Sequence, residues 1–164
     1  MKKIFLLLLL WTKILFCQIE NKIQITEGVG SIDFKVCFDK KNIYQRFGKS
    51  DKCEGWTGKY IKNETTGVIK DNRKKEYKTW KNLFCKDSLG VRVLFKKNKI
   101  HSITFLNPNY ITSKGISIGD SREDVLKKYG GNYDSPKVNY YQIGINFVFE
   151  NDRVTEIEVI SPQK

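Results

Sequence analysis

The chain repeats itself, and an internal repeat restricts the fold more than any single motif can. Residues 89–108, LGVRVLFKKNKIHSITFLNP, align without a gap on residues 143–162, IGINFVFENDRVTEIEVISP, at an offset of 54. Gly90 falls on Gly144, Phe95 on Phe149, Ile103 on Ile157 and Pro108 on Pro162. Each copy reads as a β-hairpin. Val91, Val93 and Phe95 alternate onto one face, as do Ile145, Phe147 and Phe149. Lys97-Asn98 and Asn151-Asp152 suit two-residue turns, because Asn and Asp tolerate left-handed backbone angles. The return strands bring Ile103 and Phe105, or Ile157 and Val159, to a common face.

A short helix precedes each hairpin. In GISIGDSREDVLKKYGG, residues 115–131, Asp120 is expected to cap a helix, with Glu123 completing a capping box. Val125, Leu126 and Tyr129 then form one apolar side, and Gly130 supplies the left-handed C-terminal cap. Ile43, Tyr44, Phe47 and Gly48 hold the same spacing, but at an offset of 82. The first copy therefore carries 28 extra residues between helix and hairpin. The expectation is an α+β fold of two tandem units, each a short helix packed on an antiparallel β-sheet in two layers. The first unit spans residues 18–108 with an insertion at about 51–87, and the second spans 109–164.

The glycines do not make a phosphate loop. Gly115 and Gly119 are not followed by Gly-Lys-Ser/Thr. Gly28-Val29-Gly30 leads into Ile32, Phe34, Val36 and Phe38, whose alternation predicts a strand where a dinucleotide fold needs a helix.

Residues 1–17 read as a signal peptide, with Lys2 and Lys3 ahead of an apolar run too short for the ~20 residues of a membrane span. Export to the periplasm or medium is expected, with cleavage after Cys17. The alternative is a lipoprotein anchored at Cys17, although Phe16 is large for a lipobox. Losing residues 1–17 leaves 27 basic and 18 acidic residues, a net charge of +9. Export argues against nucleic acid as the target, and the lysines lack clustered base-stacking aromatics. Membrane contact is expected only if Cys17 is lipidated.

Cys37, Cys53 and Cys85 remain, and an oxidising compartment favours a disulfide. Spacing does not choose among the three possible bridges or exclude three free thiols. Cys53–Cys85 is the candidate pair because both border the insertion. Residues 59–62 and 68–70 are expected to form a projecting hairpin there. Around it lie Trp56, Tyr60, Tyr77, Trp80 and Phe84. Some of these rings pack; Trp56, Tyr60, Tyr77 and Trp80 are the candidate partner-binding residues, since aromatics anchor interfaces.

Gly115-Ile116, Gly119-Asp120, Asp124-Val125 and Tyr129-Gly130 together resemble the helix entry of the SmpA/OmlA (BamE-like) family of outer-membrane assembly lipoproteins. The duplication is similar to that of the β-lactamase inhibitor protein, a tandem of helix-plus-sheet units. Tyr77, Trp80, Leu89 and Gly90 also resemble a segment of uncharacterised exported proteins. These resemblances imply the architecture and no binding residues.

No catalytic, cofactor or metal residue is assigned. His101 aligns with Thr155, so its role is not part of the repeat, and a lone His is a poor metal ligand set. Cys37 has no positioned base other than His101. Glu156 and Glu158 read as solvent-facing charges. The function expected is a non-catalytic protein-interaction module of the envelope or secreted fraction. The alternatives are an inhibitor or immunity protein that blocks another protein's active site, and a small ligand carrier or enzyme.

Overall fold

The computed structural model describes residues 22–57, 60–62, 69–71, 74–131 and 135–163, with side chains left undescribed over 56–73. In chain order the elements are β1 (Ile23–Ile25), α1 (Lys40–Phe47), β2 (Cys53–Thr57), β3 (Tyr60–Lys62), β4 (Ile69–Asp71), β5 (Lys74–Lys78) and β6 (Leu83–Lys86). After a 3-10 turn come β7 (Val91–Lys96), β8 (Lys99–Phe105), β9 (Tyr110–Thr112), α2 (Arg122–Tyr129), β10 (Lys137–Tyr140), β11 (Ile145–Glu150) and β12 (Arg153–Ile160). The fold is α+β, with its strands mostly in antiparallel sheets.

The hairpins and helix entries of the two copies correspond in detail. Both hairpins turn through two left-handed residues, Lys97-Asn98 and Asn151-Asp152. Both carry a register shift one step before the turn-proximal Phe, at Leu94/Phe95 and Val148/Phe149. Gly90 and Gly144 each accept from the return strand, from Leu106 N and Ile160 N. Ahead of each helix the chain pairs with the hairpin in the same way. Lys40 N donates to Asn98 O at 2.8 Å, and Arg122 N to Asp152 O at 2.9 Å. The Lys40 ammonium reaches the Lys81 carbonyl and lies over Phe95, just as Arg122 reaches the Ser135 carbonyl and lies over Phe149.

The two half-sheets form one. The order is β10-β11-β12-β8-β7-β6, all neighbours antiparallel. At the centre Ile103 pairs with Val159, Phe105 with Ile157, and Thr104 with Glu158. Thr104 and Glu158 are themselves equivalent in the repeat, so the unit-to-unit joint has a local two-fold relation there. One face of this sheet, bearing Val93, Phe95, Ile103, Phe105, Phe147 and Ile157, is buried with Ile43 of α1 and Val125 of α2. Tyr44 meets Phe84 edge-on at 5.4 Å, and Tyr129 meets Phe147 at 5.0 Å.

Three local expectations are revised. First, β6 is the counterpart of β10 at the same offset of 54, with Phe84 and Val138 both buried. The insertion therefore lies between α1 and β6 and does not reach Asp87. Second, Ser121 caps α2, not Asp120: Ser121 Oγ accepts from Asp124 N at 3.1 Å, while Asp120 accepts from Ser117 N. Third, residues 31–38 form turns rather than a strand. Phe34 is buried but Ile32 is exposed, and Cys37 takes φ +70°, which ends any alternation. Residues 23–25, on which the sequence carries no expectation, form a strand that pairs in parallel with β9, the start of the second unit. This N-terminal segment is tied down by Glu27, which accepts hydrogen bonds from Tyr129 and from Ser113 Oγ. Burial first, then the bond to Glu27, pushes the Tyr129 phenol far above its ordinary range.

Candidate functional site

The insertion is where the two units differ, and its base is built from polar contacts. Residues 50–53 run along the free edge of β6. Ser50 Oγ accepts from Cys85 N at 2.9 Å, Asp51 N donates to Cys85 O at 2.9 Å, and Asp51 Oδ2 accepts from Asp87 N. Cys53 and Cys85 form a disulfide with a Cα separation of 5.7 Å. Cys85 lies on the sheet face turned away from the helices, beside Arg92. β2 and β5 therefore form an antiparallel ribbon stapled next to that face, with Glu54 opposite Tyr77 and Gly55 opposite Glu76. β3 and β4 form a second antiparallel pair, with Tyr60 opposite Asp71.

Between ribbon and sheet is a cleft of about 380 Å³, lined among others by Glu54, Tyr77, Asp87, Arg92 and Asn107. Tyr77 is 61% exposed, and its hydroxyl donates to Asp87 Oδ2 at 3.4 Å. The Asp87 charge, with burial second, raises the Tyr77 phenol, so it remains a donor at neutral pH. Glu54 is held below the usual carboxylate range by its hydrogen bond from Lys75, at 2.8 Å, and by that residue's charge. The cleft thus offers a phenol, two carboxylates, a guanidinium, an ammonium and an amide beside the apolar Val91, Leu106 and Pro108. Such a mixture suits the alternating polar and apolar atoms of a peptide surface.

The aromatic candidates separate. Trp80 is half-buried; its Nε1 donates to Cys53 O at 3.0 Å, and Lys78 Nζ lies 4.7 Å from its ring centre. Its indole covers Gly55, where a methyl group would come within 2.4 Å of it. Gly55 alternates with Glu54, so Trp80 sits on the ribbon face opposite Tyr77. Trp80 is a packing residue, and Tyr77 is the exposed ring. The side chains of Trp56 and Tyr60 lie outside the described residues, as does Cys17. The expected hairpin over 59–62 and 68–70 lies partly outside them too; its described part is the β3–β4 pair.

His101 is exposed on β8. Cys37 is exposed, with Sγ 3.9 Å from Ser161 Oγ. Among the described residues, no three His, Cys, Asp or Glu side chains are grouped to hold a metal ion. Glu158 is not the solvent-facing charge expected. Its side chain is 21% exposed and accepts from Lys137 Nζ at 2.7 Å and Asn146 Nδ2 at 3.0 Å. Burial alone raises its pKa; the bonds from Lys137 and Asn146, Lys137's charge and a bond from Ser102 outweigh that and lower it.

Sequence reasoning missed Glu54, Asp87 and Arg92. They come from three elements, and no local spacing joins them. The signal available was the pair of cysteines, which marks where the insertion rejoins the sheet.

No family model matches the chain, and no curated protein matches it. Among solved structures, the uncharacterised protein yfeY from Escherichia coli is similar, at 14% identity and a TM-score of 0.42, covering 85% of this chain and 99% of that one.

Proposed function

We propose that this protein is a non-catalytic protein-interaction module, exported to the cell envelope or secreted fraction, which binds another protein in the cleft between the ribbon and the sheet. One observation carries the reading. The hairpins and helix entries of the two units share several backbone hydrogen bonds, and the ribbon is the largest insertion between them, stapled to the sheet and presenting Tyr77 to solvent. Tyrosine supplies contact area and a polar tip at little conformational cost, which suits an interface anchor. A disulfide across the base of the ribbon accords with an oxidising compartment.

The test is a crosslinked capture from the native envelope and secreted fractions, using residues 18–164 and a Tyr77→Ala, Arg92→Glu variant. A single stoichiometric protein captured by the first and lost with the second is the expected result. Capture that is equal with both, or absent with both, would sink the cleft reading. Should the captured protein be an enzyme that loses activity on binding, the module acts as an inhibitor.

A further inference from the structure

The two units can be compared at their hairpin tips, and the tips differ in charge. At the first, Lys40, Lys41, Lys96, Lys97 and Lys99 stand against Asp39, a net of +4. At the seven equivalent positions of the second, Arg122 and Arg153 stand against Glu123, Glu150 and Asp152, a net of −1. Lys40 is engaged with a carbonyl and two rings, and Lys99 with Asp39 at 3.3 Å. Lys41, Lys96 and Lys97 are exposed, and no described acid pairs with them.

Exposed apolar side chains adjoin this tip. Val29, Ile32 and Phe38 are 45%, 74% and 40% exposed. That places three of the seven large exposed hydrophobics among the described residues within residues 29–38. Lys35 links the two features: it lines one depression with Val29 and Ile32, and its ammonium lies 5.8 Å from the Phe38 ring centre. Phe38 is joined by its backbone to Ile100, next to Lys99. In the second unit Asp120 and Lys114 stand where Phe38 and Ile32 do, so that unit lacks two of the three apolar residues as well as the charge.

We propose that residues 29–38 and the tip between β7 and β8 form one surface, distinct from the cleft, that docks on an anionic lipid bilayer. Aliphatic and aromatic side chains enter the headgroup boundary, while lysines flanking them face lipid phosphates. Every unpaired cation of the tip is a lysine. Lysine acts as a hydrated point charge that follows a diffuse anionic surface, whereas carboxylates of a folded partner favour the bidentate arginine fork. The Lys stems also cover apolar surface while the ammonium groups stay in water.

Residues 18–164 hold every described core side chain, from Ile25 to Val159, and are the protein to use. Flotation is measured with phosphatidylcholine vesicles and with vesicles of two parts phosphatidylcholine to one part phosphatidylserine. Binding is expected to the anionic vesicles only and to weaken with salt. Lys41→Glu, Lys96→Glu, Lys97→Glu should lower it by at least about tenfold. Lys52→Glu, Lys78→Glu, Lys127→Glu changes net charge equally, beside the ribbon and on α2, and should leave most of it. Ile32→Ser with Phe38→Ser should weaken binding without changing charge. Equal loss in both lysine triples would reduce the effect to net charge and overturn the proposal. Binding to soluble polyglutamate but not to the vesicles would overturn it in favour of an acidic protein.

Discussion

At position 37 the first unit carries a cysteine where the second carries Gly119, and both backbones are left-handed, at φ +70° and +93°. A side chain in that conformation costs about 1–2 kcal/mol, set against the greater freedom a glycine loses on folding, about 0.5–1 kcal/mol. Cys37→Gly should therefore raise stability by up to about 1 kcal/mol, read as a higher urea midpoint at unchanged slope. Gly119→Ala is the reverse experiment. A methyl group there meets nothing within 4 Å, so any loss is backbone strain alone. It should lower stability by about 1 kcal/mol. A stabilised Gly119→Ala protein would contradict the left-handed assignment. Gly55→Ala tests a different cause, since the Trp80 indole occupies that space. It should shift the tryptophan emission and cost about 1–3 kcal/mol.

Among the elements, the ribbon depends on its staple and the sheet does not. The disulfide closes a loop between residues 32 apart, worth about 3–4 kcal/mol in the chain-entropy model. Among the described residues, the β2–β5 ribbon shares no core residue with the six-stranded sheet apart from the joint at Cys53–Cys85. Cys53→Ser with Cys85→Ser should expose ribbon amides to hydrogen exchange while β7, β8, β11 and β12 stay protected. Loss of protection throughout would mean that ribbon and sheet unfold as one. The same contrast explains what the sequence makes legible. The hairpins and helices show because period 2 and period 3.6 patterns persist through a duplication, and Asn-containing turns mark their ends. Residues 31–38 mislead because four alternating hydrophobics occur in a segment whose φ signs are set by turns. β6 escapes because LFCKDSLG and KVNYYQIG share a buried position and a glycine, but little else. Three-residue strands such as β1 carry too little pattern to announce a parallel partner. The cleft is invisible beforehand because its side chains meet only after the ribbon is stapled beside Arg92.

The molecule is held across its midline by the pairing of β8 with β12, and the group nearest the local two-fold relation is Glu158. Its equivalent, Thr104, is neutral, so symmetry would place no charge at this joint. The charge is held by Lys137 of the edge strand and by Asn146 of β11. Because the folded pKa lies below its ordinary value of 4.5, the unfolded chain binds the proton more readily. The stabilisation is therefore complete well above that ordinary value and is lost as pH falls through the lower, folded one. Glu158→Gln removes the titration while keeping the shape. At pH 7 it should cost about 1 kcal/mol, because the half-exposed Lys137 leaves the bond screened below the ~1.5–3 kcal/mol of a buried charged pair. In acid the wild type loses this contribution and the variant has none to lose. The two urea midpoints should therefore differ at pH 7 and converge as the pH falls below 4.5. Midpoints that stay apart into strong acid would show that Glu158 acts at this joint through its shape and not its charge.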